Sequence, residues 1–244
     1  MKNIVVKIEK YLQEDKASKG ELEYFYFHQS RYEYLLKLLV GFNKEAKILD
    51  IGSAYLHLLM GLKELGFNKL YGADKGGLGV STKRSKDFNI KINKIDLVEK
   101  VFFDDNFFDI IIFTEVLEHL NFYPGPMFKE FNRILRPGGK FILTTPNLTR
   151  LNNRIKFLIG KSIHPNIHYD YSISPHIREY TASELKYLTE QAGMQVEKII
   201  YVDFHYPSDL KFVLLTNRLL GWILPWLRGN IVLIGEKRRC LYLE

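Results

Sequence analysis

From residue 47 onward, short apolar runs alternate with segments of helical periodicity, and this alternation constrains the fold more than any other feature of the sequence. Helices are predicted at 56–65 and 127–135. Because parallel strands need crossover connections, the alternation predicts an α/β fold with a parallel sheet and helices on both faces. Ligands of such sheets bind beyond the carboxyl ends of the strands. The five strand candidates are residues 48–51, 69–73, 90–95, 109–113 and 140–144.

The flanking segments are expected to complete a single domain over residues 1–244. Residues 21–41 have the apolar spacing of an amphipathic helix, so residues 1–41 are expected to form an N-terminal helical cap. Residues 146–180 are polar, contain histidines and show little periodicity. This pattern indicates an insertion or lid.

After residue 180 the periodic pattern returns. The capping-box sequence Thr181-Ala-Ser-Glu184 predicts the start of a helix, and two more strands are expected at 196–202 and 230–235. Between these strands, residues 212–227 are apolar but are interrupted by polar residues and a proline. They fall short of the roughly 18 clean residues that a membrane span needs. We expect a packed helix or a dimer surface there, with at most a peripheral membrane contact.

Composition excludes several classes of protein. The net charge is +7, from 35 basic and 28 acidic residues. This balance can attract a phosphate, a nucleotide sugar, a nucleic acid or a membrane surface, and the alternative is an ordinary basic surface. No long basic run occurs, and we expect no DNA partner. The single cysteine, Cys240, excludes an intramolecular disulfide and a multi-cysteine zinc site, and it suits a reducing compartment. Charges interrupt the N-terminal segment too early for a signal peptide, so we expect a cytoplasmic location, extending to the inner face of the membrane.

Acidic and small residues follow three consecutive predicted strands. The first strand ends at Asp50 and continues into Gly52-Ser53-Ala54, a turn of small residues before a helix. Asp74 follows the second strand, and Asp96-Leu97 follows the third. A carboxylate at such a strand end can accept both hydroxyls of a ribose, while the turn lets the backbone approach a ligand. The Asp-Leu pair can bind an adenine amine and pack its ring.

With these motifs in this order, the sequence resembles the class I S-adenosylmethionine (SAM) methyltransferases over nearly all of residues 20–237. This resemblance extends through Phe108–Leu120, Arg133–Phe141 and Thr144–Asn147. Within the family, the sequence resembles the polysaccharide- and ubiquinone-type O-methyltransferases. The family resemblance implies a Rossmann-like, seven-stranded, mostly parallel sheet, with an N-terminal helix and an insertion before the sixth strand.

The resemblance implies a SAM site at the strand ends. The methionine part would lie over Gly52-Ser53-Ala54, the ribose on Asp74 and the adenine beside Asp96-Leu97. The predicted cofactor-binding set is completed by Asp50, Lys75 and Glu115.

One departure from the family pattern lies in the turn. The family carries glycine at alternate positions, whereas Ala54 and Leu56 occupy the second and third of them here. Leucine in a left-handed conformation is strained. The departure leaves open a non-catalytic, SAM-binding scaffold.

A second constellation, Glu115, Glu118 and His119, follows the fourth predicted strand. Spacings of three and four predict that all three lie on one helix face, where they could bind Mg²⁺ or Mn²⁺. Similar sequences bind metal in ubiquinone-pathway O-methyltransferases and in RNA ribose 2′-O-methyltransferases, where a later histidine, resembling His176, completes the site. The alternative is that Glu118 and His119 only open a helix.

Methyl transfer to an alkyl hydroxyl needs a base, and His119 and His176 are the predicted catalytic residues. We expect O-methylation of a surface-polysaccharide sugar, or of its nucleotide- or lipid-phosphate-linked precursor. The alternatives are a small phosphorylated metabolite or quinone precursor, and RNA ribose. The residues predicted to hold the acceptor are Asn147, Arg150, Arg154, Arg178 and Tyr180.

Overall fold

A seven-stranded sheet lies at the centre of the protein. The computed structural model describes residues 1–75, 82–98, 101–164, 176–204, 221 and 223–239. Its strands are β1 (Lys47–Ile51), β2 (Lys69–Asp74), β3 (Lys91–Lys94), β4 (Phe108–Thr114), β5 (Leu135–Pro146), β6 (Met194–Val202) and β7 (Asn230–Lys237). The spatial order is β3-β2-β1-β4-β5-β7-β6, and β7 alone runs antiparallel to its neighbours. The predicted seven-stranded, mostly parallel sheet is confirmed.

Helices cover both faces of this sheet. Within the described residues they are α1 (Lys2–Glu14), α2 (Lys19–Leu39), α3 (His57–Glu64), α4 (Thr82–Asp87), α5 (Gly125–Ile134), α6 (Leu151–Leu158) and α7 (Ala182–Gln191). The helix predictions at 21–41, 56–65 and 127–135 correspond to α2, α3 and α5. Helix α1 is additional, so the N-terminal cap consists of two helices. Helix α7 begins at the predicted capping box of Thr181 and Glu184.

Two apolar layers pack against opposite faces of the sheet. In β4, Ile110 and Ile112 pack with α1, α2 and α3, whereas Ile111 and Phe113 pack with α5 and α7. Successive side chains of a strand point to opposite faces, and here both faces are buried. This explains why the strand candidates appear in the sequence as continuous apolar runs.

A buried ionic cluster attaches the N-terminal cap to the sheet half that carries β2. The Arg84 guanidinium in α4 contacts the carboxylates of Asp15 and Glu21, and the Asp15 contact is 2.9 Å from Nε to Oδ2. His57 Nε2 lies 3.1 Å from Glu21 Oε1. Burial would raise the pKa of the Glu21 carboxyl, but hydrogen bonds from His57 and Arg84 lower it. The cluster therefore keeps Glu21 ionised and fixes α2 beside the first residue of α3.

Several predictions concern residues outside the described ranges. Residues 212–220 and Trp222 lie outside them, as do His168 and Cys240. Among the described residues, no helix is both long enough and apolar enough to cross a membrane.

Candidate active site

The turn between β1 and α3, residues 52–56, holds three left-handed backbone positions. The φ angles are 77° at Gly52, 40° at Ala54 and 68° at Leu56. Left-handed geometry is therefore kept at alternate positions even where alanine and leucine stand in place of glycine. A left-handed conformation costs about 1–2 kcal/mol for a residue with a Cβ atom. At Leu56 the complete burial of the side chain offsets that cost.

The backbone around this turn is packed closely. A Cβ atom at Gly52 would lie 2.3 Å from Cγ2 of Val116, and one at Gly72 would lie 2.8 Å from the Ser53 hydroxyl. The nitrogens of Gly52 and Ser53 donate to the Ala73 carbonyl oxygen at 2.8 and 3.3 Å. Positions 52 and 72 therefore need glycine for space, and Gly52 needs it for its dihedral angle as well.

Asp74 contacts the turn from the end of β2. Its Oδ2 accepts a hydrogen bond from the Ala54 nitrogen at 3.0 Å. At the neighbouring strand ends, Lys75 Nζ lies 3.9 Å from Asp96 Oδ2, and Leu97 packs against the apolar layer of α5 and α7. The structure thus brings these predicted cofactor-binding residues to one edge of the sheet. Their contacts with ribose and adenine stay predictions.

Arg31 of α2 enters the same edge from the N-terminal cap. Its Nη1 lies 4.0 Å from Glu115 Oε2, and both side chains are largely buried. Burial raises the pKa of Asp50 to about 7; the nearby Arg31 opposes this rise and Asp74 adds to it. The Arg31 guanidinium therefore lies near the carboxylates of Glu115 and Asp50 at this edge of the sheet.

The prediction that Glu115, Glu118 and His119 share one helix face is wrong. Glu115 has a left-handed backbone, with φ 53°, and its nitrogen donates to the Thr144 carbonyl oxygen at 2.9 Å. The chain then makes one 3-10 turn, Leu117–His119. The Glu115 carboxylate accepts from the Thr144 hydroxyl at 2.8 Å, whereas the buried Glu118 accepts from Thr145 at 3.0 Å. The bond from Glu115 to β5 prevents a continuous helix, so the Glu115 side chain is separated from those of Glu118 and His119.

His119 and His176 nevertheless lie together, as predicted. Their rings meet edge to face with centroids 5.0 Å apart. The Glu118 carbonyl oxygen accepts from the Ile177 nitrogen at 2.7 Å, which brings the end of the insertion to this turn. Ligand atoms of Glu118, His119 and His176 all lie within 4.8 Å of one another. Glu115 is outside this cluster, and His164 is exposed elsewhere in the insertion.

Sequence reasoning missed Glu179. This buried carboxylate accepts from Arg150 at 2.5 and 2.8 Å and from the Asn153 amide at 2.8 Å, and it lies 3.5 Å from His176 Nδ1. Burial would raise the pKa of Glu179, but hydrogen bonds from His176 and Arg150 lower it to about 2. Glu179 thus stays ionised beside the imidazole. Its position three residues after His176 was the available sequence signal.

The predicted acceptor residues are engaged within the protein. Asn147 is buried, and its amide nitrogen donates to the carbonyl oxygens of Trp226 and Arg228 at 2.8 Å each. Arg154 donates to the Thr149 carbonyl oxygen, Arg178 pairs with Glu184, and Arg150 pairs with Glu179. Asn147 and Tyr180, which is also buried, therefore act as structural residues here. Acceptor binding by the three arginines stays a prediction.

A family model described as "Methyltransferase domain" matches residues 23–199, which extend from α2 into β6. The chain belongs to this methyltransferase family. Within the methyltransferase domain, the matched range contains the turn 52–56, Asp74 and the His119–His176 pair. The strand order and the placement of these groups at the carboxyl edge agree with that membership.

Individual relatives share either part of the sequence or the fold. A curated protein of Mycolicibacterium smegmatis, named "Probable S-adenosylmethionine-dependent methyltransferase", is 38% identical over 98 residues, or 40% of this chain and 32% of that protein. The chain thus matches about a third of the length of that relative. A SAM-dependent methyltransferase of Thermotoga maritima has a TM-score of 0.61 at 16% identity, covering 91% of this chain and 97% of its own. Another, of Archaeoglobus fulgidus, has a TM-score of 0.57 at 18% identity, covering 88% and 99%. These two structures show the shared fold.

Proposed function

We propose that the protein transfers the methyl group of SAM to an alkyl hydroxyl, that of a sugar carried on a nucleotide or lipid phosphate. The observation that carries this proposal is the His119–His176 pair, with Glu179 ionised next to it, in the segment after β4 whose Val116 packs against Gly52 of the cofactor turn. A sugar hydroxyl has a high pKa, so its proton must leave as the new bond forms. A pair of imidazoles at this position supplies a proton acceptor.

The residues present fit SAM. At Gly52 a Cβ atom would meet the Val116 side chain, so glycine lets the turn pack closely against the segment after β4. The buried Ser53 hydroxyl has no hydrogen-bond partner among the described residues, so a polar group of a ligand can satisfy it. Asp74 offers a carboxylate for ribose hydroxyls. When bound, SAM supplies a methyl group already activated by its sulfonium.

The protein's part in the reaction is alignment and proton removal. Holding the acceptor hydroxyl in line with the methyl group supplies much of the rate. Glu179 faces Nδ1 of His176, which leaves Nε2 to receive the proton of the hydroxyl. The ionised Glu179 then stabilises the imidazolium, and Arg150 and Asn153 hold the carboxylate in place.

A divalent cation at Glu118, His119 and His176 is the alternative to the imidazole base, because a His176 nitrogen that holds a cation cannot also accept the proton. One carboxylate oxygen of the buried Glu118 has no hydrogen-bond partner among the described residues, and the ligand atoms lie close enough to share an ion. With Glu115 outside the cluster, two imidazoles and one carboxylate suit Mn²⁺ better than Mg²⁺, which prefers oxygen ligands. A bound cation would lower the pKa of a coordinated hydroxyl.

RNA ribose is a second candidate acceptor, because the same cluster is combined with a net charge of +7. A methyl-transfer assay with radiolabelled SAM distinguishes the candidate acceptors. The acceptors offered are nucleotide sugars, lipid-linked sugars, quinols and RNA ends. We expect transfer to a sugar, lost in His176→Ala and retained in His164→Ala. Transfer only to RNA or to quinols would overturn the sugar acceptor, and no turnover with any acceptor would favour a SAM-binding scaffold.

A further inference from the structure

Helix α6 turns its apolar side chains away from the protein. Its one buried residue is Asn153, whereas Phe157 and Leu158 are 59% and 86% exposed. Ile155 and Ile159 are exposed as well. A helix on the surface of a protein ordinarily buries its apolar side chains and exposes its polar side chains. In α6 this arrangement is reversed.

Polar contacts fix α6 in this orientation. The Asn153 amide donates to the Leu148 carbonyl oxygen at 2.9 Å and to the Glu179 carboxylate at 2.8 Å. Arg150, at the start of the helix, binds the same carboxylate with both terminal nitrogens. Rotating α6 to bury Ile155 and Leu158, which lie on the face opposite Asn153, would break these buried hydrogen bonds and leave Glu179 partly unpaired, which is costly. The hydrogen bonds of Asn153 and Arg150 therefore keep the apolar face of α6 exposed to solvent.

The charged residues of α6 and of the turn after it are all basic. Arg154 and Lys161 are exposed near the apolar side chains, and Lys156 is half-buried among them. The sequence has no acidic residue between positions 146 and 164, although about two would occur at the chain's average frequency. A basic border around exposed apolar groups complements an anionic surface with an apolar interior.

A second exposed apolar group is anchored at the same edge of the sheet. Ile223 is 65% exposed, and Trp226, in the 3-10 turn Pro225–Leu227, is 47% exposed. Asn147, which precedes α6 by four residues, binds the carbonyl oxygen of Trp226. Tryptophan is favoured where a surface meets the headgroup region of a bilayer. The two exposed apolar groups thus lie on α6 and on the 3-10 turn Pro225–Leu227. Asn147 links these elements, because it precedes α6 in the chain and binds the turn through its side chain.

We propose that this α6 surface, defined as residues 154–161 together with Ile223 and Trp226, docks on an anionic lipid bilayer. Its apolar side chains enter the headgroup boundary while Lys156, Lys161 and Arg154 meet anionic lipids. The contact is peripheral, because an eight-residue helix is far too short to span a bilayer. The inference does not depend on the methyl acceptor, since it rests on exposure and charge alone.

Vesicle flotation of the full chain tests the proposal. The probes are vesicles of phosphatidylcholine alone and of phosphatidylcholine with phosphatidylglycerol, at low and high salt. Two double variants remove the two components of the surface: Phe157→Ser with Leu158→Ser, and Lys156→Glu with Lys161→Glu. Tyr187→Ser on α7 is the matched control, because Tyr187 is also 59% exposed. Binding of S-adenosylhomocysteine (SAH) verifies that each variant is folded.

We expect the wild type and Tyr187→Ser to float with anionic vesicles, weakly with neutral ones, and less at high salt. Both double variants should bind at least tenfold more weakly while SAH binding is unchanged. Three results would overturn the proposal: no vesicle binding by the wild type, vesicle binding that survives in both double variants, or a concentration-dependent dimer that Phe157→Ser with Leu158→Ser abolishes in the absence of lipid. The last result would identify a second copy of the chain as the occupant.

Discussion

Asp74 Oδ2 accepts a hydrogen bond from the backbone nitrogen of Ala54 at 3.0 Å. The carboxylate expected to bind the ribose therefore also holds the turn that approaches the rest of the cofactor. Removing the side chain would disturb both functions at once. Asp74→Asn is the sharper change, because an amide oxygen can still accept from Ala54 while the negative charge is lost.

Ala54 occupies a left-handed conformation with φ 40°, so glycine should suit the position better. We expect Ala54→Gly to raise the free energy of unfolding by about 0.5–1 kcal/mol, the reverse of the usual cost of alanine at such a site. Ala73→Gly, in the buried interior of β2, should lower it instead. Urea unfolding measures both variants. Equal destabilisation by both would show that Ala54 is not strained.

Asp50 should make stability depend on pH. Its pKa is about 7 in the folded protein, above its ordinary value, because burial opposes ionisation. The protonated Asp50 therefore adds fully to the free energy of unfolding below pH 4, and this stabilisation is lost as the pH rises through 7. Asp50→Asn removes that loss, so the unfolding free energy of the variant relative to that of the wild type should rise by roughly 4 kcal/mol between pH 4 and 8. Urea unfolding across this range tests the effect, and a difference independent of pH would contradict it.

Glu179 is expected to act on catalysis through His176. Glu179→Gln should lower kcat by about 10- to 100-fold with little change in KM, as for a group that supports proton transfer. Glu184→Gln is the matched control, because it also breaks an arginine ion pair in this part of the chain. Both variants should lose stability. If Glu184→Gln lowered kcat equally, Glu179 would be acting only by holding the segment together.

Metal binding is tested by comparing the Mn²⁺ affinities of variants at Glu115 and Glu118. Mn²⁺ titrated calorimetrically into the metal-free protein should bind the wild type and Glu115→Gln alike, and Glu118→Gln at least tenfold more weakly. Glu118 belongs to the cluster with both histidines, and Glu115 does not. Undetectable binding by the wild type, together with activity unchanged by EDTA, would remove the cation from the proposal.

The strands were predictable because β4 and its neighbours are buried on both faces, which produces apolar runs that stand out locally. The cofactor turn was recognisable because acidic and small residues follow three consecutive strands in order, although any one of them alone would indicate only a turn. Glu115 was misplaced because a helical spacing was assumed, whereas a hydrogen bond to Thr144, 29 residues away, sets its backbone. Glu179 was missed because its role depends on Arg150 and His176 meeting it in space.

The most direct measurement is calorimetric binding of SAH to the wild type, to Asp74→Asn and to Asp87→Asn, an exposed aspartate at the end of α4. We expect micromolar affinity for the wild type, about −8 kcal/mol, the same affinity for Asp87→Asn, and binding at least tenfold weaker for Asp74→Asn. Absence of binding to the wild type, or equal affinity for all three proteins, would contradict a SAM site at this turn and the methyl transfer proposed from it.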